Sequence, residues 1–122
     1  MEPFNRNIAL YKYMGLTKTD NFNTTQNRLA KLTKALGHPA RIAILEIILK
    51  RNACICGELV EELPLSQSTI SQHLKELKEA GIIKGEIEGT SVCYCIDEKV
   101  WKEAQRALNK MFDTYKGDKN CC

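Results

Sequence analysis

The chain has 122 residues, 43% of them hydrophobic and 27% charged, the balance of one soluble globular domain able to bury roughly two thirds of its unfolded surface. Its opening residues, MEPFNRNIALYKYMG, lack the apolar core of a secretion signal, and its most apolar run, Ile42–Leu49, is broken by Glu46 and far too short to span a bilayer. No membrane partner and a cytoplasmic location are therefore expected, and the net charge of +3 is spread unevenly as +6 over residues 1–51, −5 over 52–100 and +2 over 101–122.

Residues 1–23 are polar, Asn-rich and weakly patterned; they read as a loosely ordered arm with a short helix near Ile8–Met14. A helix is predicted from Thr24 to Leu36, where Leu29, Leu32 and Leu36 keep one face apolar and Gly37 ends it. Pro39 opens the next, to Arg51, at the first helical position, where its missing N–H costs nothing. Ile42, Leu45, Ile48 and Leu49 are its buried residues, and His38 before it reads as a cap or loop residue. Asn52–Gly57 is short and β-prone, and a brief helix from Glu58 to Leu63 stops at Pro64.

The most informative stretch follows, LSQSTISQHLKELKEAG from Leu65 to Gly81. Ser66 is an N-cap, Ile70, Leu74 and Leu77 form a buried stripe, and Gly81 supplies the terminating positive φ. The remaining face is polar and rich in hydrogen-bonding groups at its start, as a helix entering the major groove requires. With the short helix before it and about three residues between, the spacing is that of a helix-turn-helix. The period then changes. Ile82–Ile87 and Ser91–Ile96 read as strands around a Glu88-Gly89-Thr90 turn. Asp97 caps a last helix with Val100, Trp101, Ala104, Leu108, Met111, Phe112 and Tyr115 on one stripe, and residues 117–122 form a Cys-containing tail. The architecture is mainly α (α+β): a winged helix-turn-helix over residues 24–116, with a two- to three-stranded wing sheet. Its terminal helices carry more apolar surface than one small domain covers, which points to a symmetric homodimer.

The segments KALGHPARIAIL (34–45), CICGELVEEL (54–63), LSQSTISQHLKELKEAGII (65–83) and the EGTSVCYCI wing resemble the ArsR/SmtB family of metal-responsive repressors. The S-x-S-x-I-S-x-H-L-x-x-L-x-x-A-G run is reproduced throughout from Ser66 to Gly81. The resemblance implies a homodimeric, non-enzymatic repressor that binds palindromic operator DNA and leaves it when a toxic metal or metalloid binds. It assigns base reading to Gln67, Ser68, Thr69, Ser71, Gln72 and His73, and phosphate contact to Lys75 and Lys84; His73 also fits a buried packing role. The reading helix is electrically neutral, so the hold on phosphates must come from the basic first half, from residues such as Arg41.

Six cysteines occur in three pairs: Cys54 and Cys56, Cys93 and Cys95, Cys121 and Cys122. In a reducing compartment such clusters bind metals or sense redox state. Arsenic, lead and cadmium sensors of the resembling family carry a Cys-x-Cys before the helix-turn-helix, as Cys54-Ile55-Cys56 does. The arsenic version's further cysteine is replaced by Leu59 or Val60. The arm lacks the cadmium type's thiols, and the last helix lacks the histidine of the zinc type. Residues two apart share a face only on a strand. Pairing of Cys54–Cys56 with the second wing strand would turn Ile55, Val92, Tyr94 and Ile96 inward and all four cysteines outward. The expected sensor is then a four-thiol patch, completed by Cys121 or Cys122, for As(III), with Sb(III), Cd and Zn as alternatives and no organic cofactor. Two other readings stand beside it: a thiol redox or persulfide sensor of the same fold, and a zinc-stapled protein-interaction module that has lost DNA binding, which the acidic middle section keeps open. A thiol enzyme lacks support, since no Cys-x-x-Cys opens a helix and no phosphate-cradling glycine loop occurs.

Overall fold

In the computed structural model, residues 19–55, 57, 59–88, 91–118 and 120 are described. The arm helix near Ile8–Met14, the hairpin tip at residues 89–90 and the cysteines 56, 121 and 122 lie outside them. Within the expected arm, Thr19–Asn21 forms a 3-10 turn that leads into Asn23. Asn23 and Gln26 cap each other reciprocally, side chain to backbone at 2.8 and 3.0 Å, and so start α1 (Thr24–Leu36). His38 opens α2 (Pro39–Arg51) as a cap: its Nδ1 accepts from Ala40 N–H at 3.0 Å. A single turn, α3 (Leu59–Glu62), precedes α4 (Gln67–Ala80), whose N-cap is Ser66 and whose C-cap is Gly81 at φ 88°.

The wing is the antiparallel pair β1 (Ile83–Glu88) and β2 (Ser91–Ile96), with Ile83 opposite Ile96 and Gly85 opposite Tyr94. The expected strand at 52–57 contracts to an isolated bridge, Ile55 with Tyr94. Asp97 accepts from Val100 N–H and opens α5 (Glu98–Thr114).

The core lies where α1, α2 and α4 meet the base of the wing. Leu32, Ile44, Ile48, Ile55, Leu77, Ile82 and Ile83 are essentially sealed from solvent. Arg28 of α1 clasps Glu103 of α5 with two bonds, 2.7 and 3.1 Å, which holds the Glu103 carboxyl below the usual carboxylate range. Beyond Leu108, α5 runs off the core: Met111, Phe112 and Tyr115 are 54%, 66% and 75% exposed.

Ile55 is 0% exposed and pins the segment before the helix-turn-helix to the body. Ile55→Ala is expected to cost about 2–5 kcal/mol of unfolding free energy under reducing conditions, read from denaturant midpoints. A loss below ~0.5 kcal/mol would show that this segment is not anchored by that side chain.

Candidate nucleic-acid interface and thiol pair

On α4 the apolar stripe Ile70, Leu74, Leu77 and Ala80 is buried, so the opposite face is fixed in space. Gln67, Ser68, Thr69, Ser71, Gln72 and Lys75 are all exposed, Gln67 at the helix start, and Lys84 is exposed at the start of the wing. The Ser66 hydroxyl lies 3.1 Å from Ser68 Oγ and 2.9 Å from Thr69 Oγ1, gathering three hydroxyls at the helix N-terminus. Gln72 donates to Glu76 at 3.2 Å.

Two further residues expected at the DNA face, His73 and Arg41, make contacts within the protein. His73 is half-buried and stacks on His38, ring centroids 4.4 Å apart, so it packs α4 against the start of α2. Of its two sequence-level readings, the packing role is the one the geometry displays. Arg41 is not a projecting cation. Its side chain is 14% exposed, it pairs with Glu76 at 3.9 Å, and its Nε is buried without a hydrogen-bond partner among the described residues. The α2 register turns Arg41 toward α4, where it meets Glu76. Lys31 and Lys34 of α1, not singled out from sequence, line the same hollow as Arg41, Gln72 and Glu76 and are exposed. The excess of positive charge in the first half was their only trace in the sequence.

The thiols are arranged by backbone geometry. Asn52 closes α2 in the left-handed conformation, φ 50° and ψ 39°, and turns the chain toward the wing. Ile55 and Tyr94 exchange both backbone hydrogen bonds, at 2.9 and 2.8 Å. Their neighbours Cys54 and Cys95 are therefore a non-hydrogen-bonded pair, in which Cα atoms approach to about 4.5 Å; here they are 4.4 Å apart and joined by a disulfide. Cys93 is disulfide-bonded as well.

The expected outward-facing thiol patch is not what the structure shows. Cys93 and Cys95 are 0% and 9% exposed, while Val92, expected inward, is 43% exposed. The end of α2 and the segment after it lie beside Cys95, and a thiol tolerates burial as a small hydrophobe. Val92 sits toward the hairpin tip. Among the described residues no three His, Cys, Asp or Glu side chains form a group able to hold a metal ion.

A polar helix carried on a helix-turn-helix, followed by a two-stranded wing, defines a winged helix-turn-helix regulator. The family of bacterial regulatory proteins called arsR matches residues 38–84. The chain is 40% identical over 86 residues to MJ1325 of Methanocaldococcus jannaschii, an uncharacterized HTH-type transcriptional regulator, covering 69% of this chain and 94% of that protein. It is 44% identical over 64 residues to the HTH-type transcriptional repressor SmtB of Mycobacterium tuberculosis, a match spanning 52% of this chain but only 47% of that repressor. The structure of HlyU from Vibrio cholerae superposes with a TM-score of 0.60 at 27% identity, over 79% of this chain and 100% of that one. This chain belongs to the arsR family and is a transcriptional regulator, not an enzyme. Among the described residues, no helix is long and apolar enough to cross a membrane.

His73 is held neutral to lower pH than usual, first by partial burial, then by electrostatic interaction with His38 and Arg41, with Glu76 opposing them. The unfolded chain therefore takes up this proton first. The contribution is complete above the ordinary histidine value of 6.5 and is lost as pH falls below it, until the folded form protonates too. His73→Gln is expected to flatten the decline of the denaturation midpoint below pH 6.5; equal slopes in both proteins would refute the linkage.

Proposed function

We propose that the chain is an operator-binding transcriptional repressor whose DNA affinity is switched by the chemistry of Cys54 and Cys95. One observation carries this reading: a sulfur–sulfur link joins the segment feeding the helix-turn-helix to the second wing strand. DNA docking uses both parts, so a bond between them fixes how the reading helix and the wing are spaced. The exposed Gln67, Ser68, Thr69, Ser71 and Gln72 would meet base edges, and Lys75 and Lys84 would meet phosphates. The neutral reading helix obtains its electrostatic hold from neighbours such as Lys31 and Lys34, and from a second copy. The exposed Met111 and Phe112 of α5, with Tyr115 at its C-cap, give an apolar face suited to a symmetric homodimer.

In the dithiol form Cys54 and Cys95 are close enough for one soft ion to bridge. As(III) is the ligand this donor set favours, because soft thiolates select soft ions, with Sb(III), Cd and Zn behind it. Cys93 or Cys56, the latter outside the described residues, would have to supply a third thiolate. The redox reading needs only the two sulfurs already joined and so takes precedence. In a cytoplasmic setting the disulfide would be the signalled state and the dithiol the resting one.

Operator-DNA anisotropy on reduced and oxidised protein tests this. Oxidation is expected to weaken binding about 5–150-fold, the usual range of allosteric coupling, and Cys54→Ser to abolish the difference. Arsenite added to the reduced protein should act in the same direction and lose its effect in Cys54→Ser. If neither oxidation nor arsenite moves the affinity, the switch is wrong.

The Lys31→Ala/Lys34→Ala double variant should weaken operator and non-operator DNA alike. Its log–log salt slope is expected to fall by about 2 per protomer, about 4 for the dimer, with one phosphate contact per lysine. An unchanged slope would place both lysines off the DNA.

A further inference from the structure

The Cys54–Cys95 bond meets solvent asymmetrically. Cys54 is exposed, whereas Cys95 is 9% exposed. Beside the bond lies a solvent-open hollow of about 410 Å3, walled by Leu49, Asn52 and Ile96 and bounded by Glu98, with both sulfur-bearing residues in its lining. That is room for a small organic molecule. Its one charged lining residue is Glu98, and Lys102, the nearby cation, is already bonded to that carboxylate at 2.8 Å. Among the described residues lining the hollow, none is positively charged.

We propose that this hollow docks a low-molecular-weight thiol bearing no anionic group, and that Cys54 is the sulfur it attacks. The small molecule's thiolate bonds to Cys54 Sγ as the Cys54–Cys95 bond breaks. The electron pair leaves on Cys95, which takes up the proton released when the small thiol ionised. A second thiol then attacks the mixed disulfide, leaves as the symmetrical small-molecule disulfide, and returns Cys54 as a thiol. Two thiols are oxidised and one protein disulfide is reduced. Exchange depends on access to the attacked sulfur as well as on the leaving group. Burial makes Cys95 the poorer leaving thiolate, which favours attack on Cys95 itself, but its burial also closes that route. Access decides for Cys54. The site deepens the regulatory reading and rests on it for its biological role.

The test uses the full oxidised chain, with cysteamine as probe and 2-mercaptoethanesulfonate as its anionic counterpart. Reactions are quenched with acid, and tandem mass spectrometry of the peptides covering 52–75 and 85–99 locates the adduct. The expected first product carries cysteamine on Cys54 with Cys95 reduced, and in urea the adduct divides between the two. Cysteamine should react faster than the sulfonate, after each is scaled to its rate with a small-molecule disulfide, by at most about five-fold, because Glu98 is exposed and partly neutralised by Lys102. Leu49→Trp, which fills the hollow, should suppress the Cys54 adduct in the folded protein. If that variant does not fold, the wild-type map and its loss in urea still decide. Attack on Cys95, or no preference in the folded chain, overturns the proposal. Operator affinity of the Cys54 adduct separates the two readings: an unchanged value sinks the regulatory switch and leaves the thiol site standing.

Discussion

Two backbone hydrogen bonds between Ile55 and Tyr94 organise the functional half of this molecule. They stitch the segment ahead of the helix-turn-helix to the wing and put Ile55 into the core. By the alternation of an antiparallel pair they also make Cys54 and Cys95 the close, non-hydrogen-bonded partners. Asn52 in the left-handed conformation is what lets the chain arrive there, because it ends α2 and reverses the path within one residue. Without this bridge the wing would be a hairpin attached only at its base, and the two cysteines would have no reason to meet. The thiol chemistry is thus a consequence of register.

A second contact, His38 on His73, does comparable work for the reading helix. His38 caps α2 with one ring nitrogen and offers its face to α4, so one residue fixes both the start of α2 and the approach of its neighbour. Arg41 and Glu76 close the same junction. Positive charge and two imidazoles there are tolerated because Glu76 sits beside them and the His73 imidazole stays neutral to lower pH than usual. The junction gives His73 and Arg41 contacts within the protein that the sequence pattern alone does not display.

The helices were legible because each start and stop has a local chemical cause. Asn23, His38, Ser66 and Asp97 cap, Pro39 opens, and Gly81 closes at positive φ. Apolar period located the buried face of α4 correctly, and with it the exposed polar residues. What failed was sidedness on the wing. Alternation along Ser91–Ile96 shows that Cys93 and Cys95 share a face, but not which face the end of α2 covers. Cysteine is small and apolar enough to be buried as readily as valine, so composition could not break the tie. Likewise, the place of Lys31 and Lys34 beside α4 depends on how α1 packs, a long-range fact that no local pattern encodes.

The electrically neutral reading helix and the thiol switch bear on one another through symmetry. In the proposed dimer each protomer places one such helix on a half-site, and each carries its own Cys54–Cys95 pair. A coupling of about 1 kcal/mol per protomer is only ~5-fold for one half-site, but two half-sites bound together multiply to roughly 30-fold. A helix that gained its hold from its own dense positive charge would blunt this, since non-specific attraction persists whatever the wing does. Low intrinsic charge on α4, with lysines set back on α1, keeps the affinity dependent on geometry. That dependence is what the proposed sulfur–sulfur switch between the feeding segment and the wing would control.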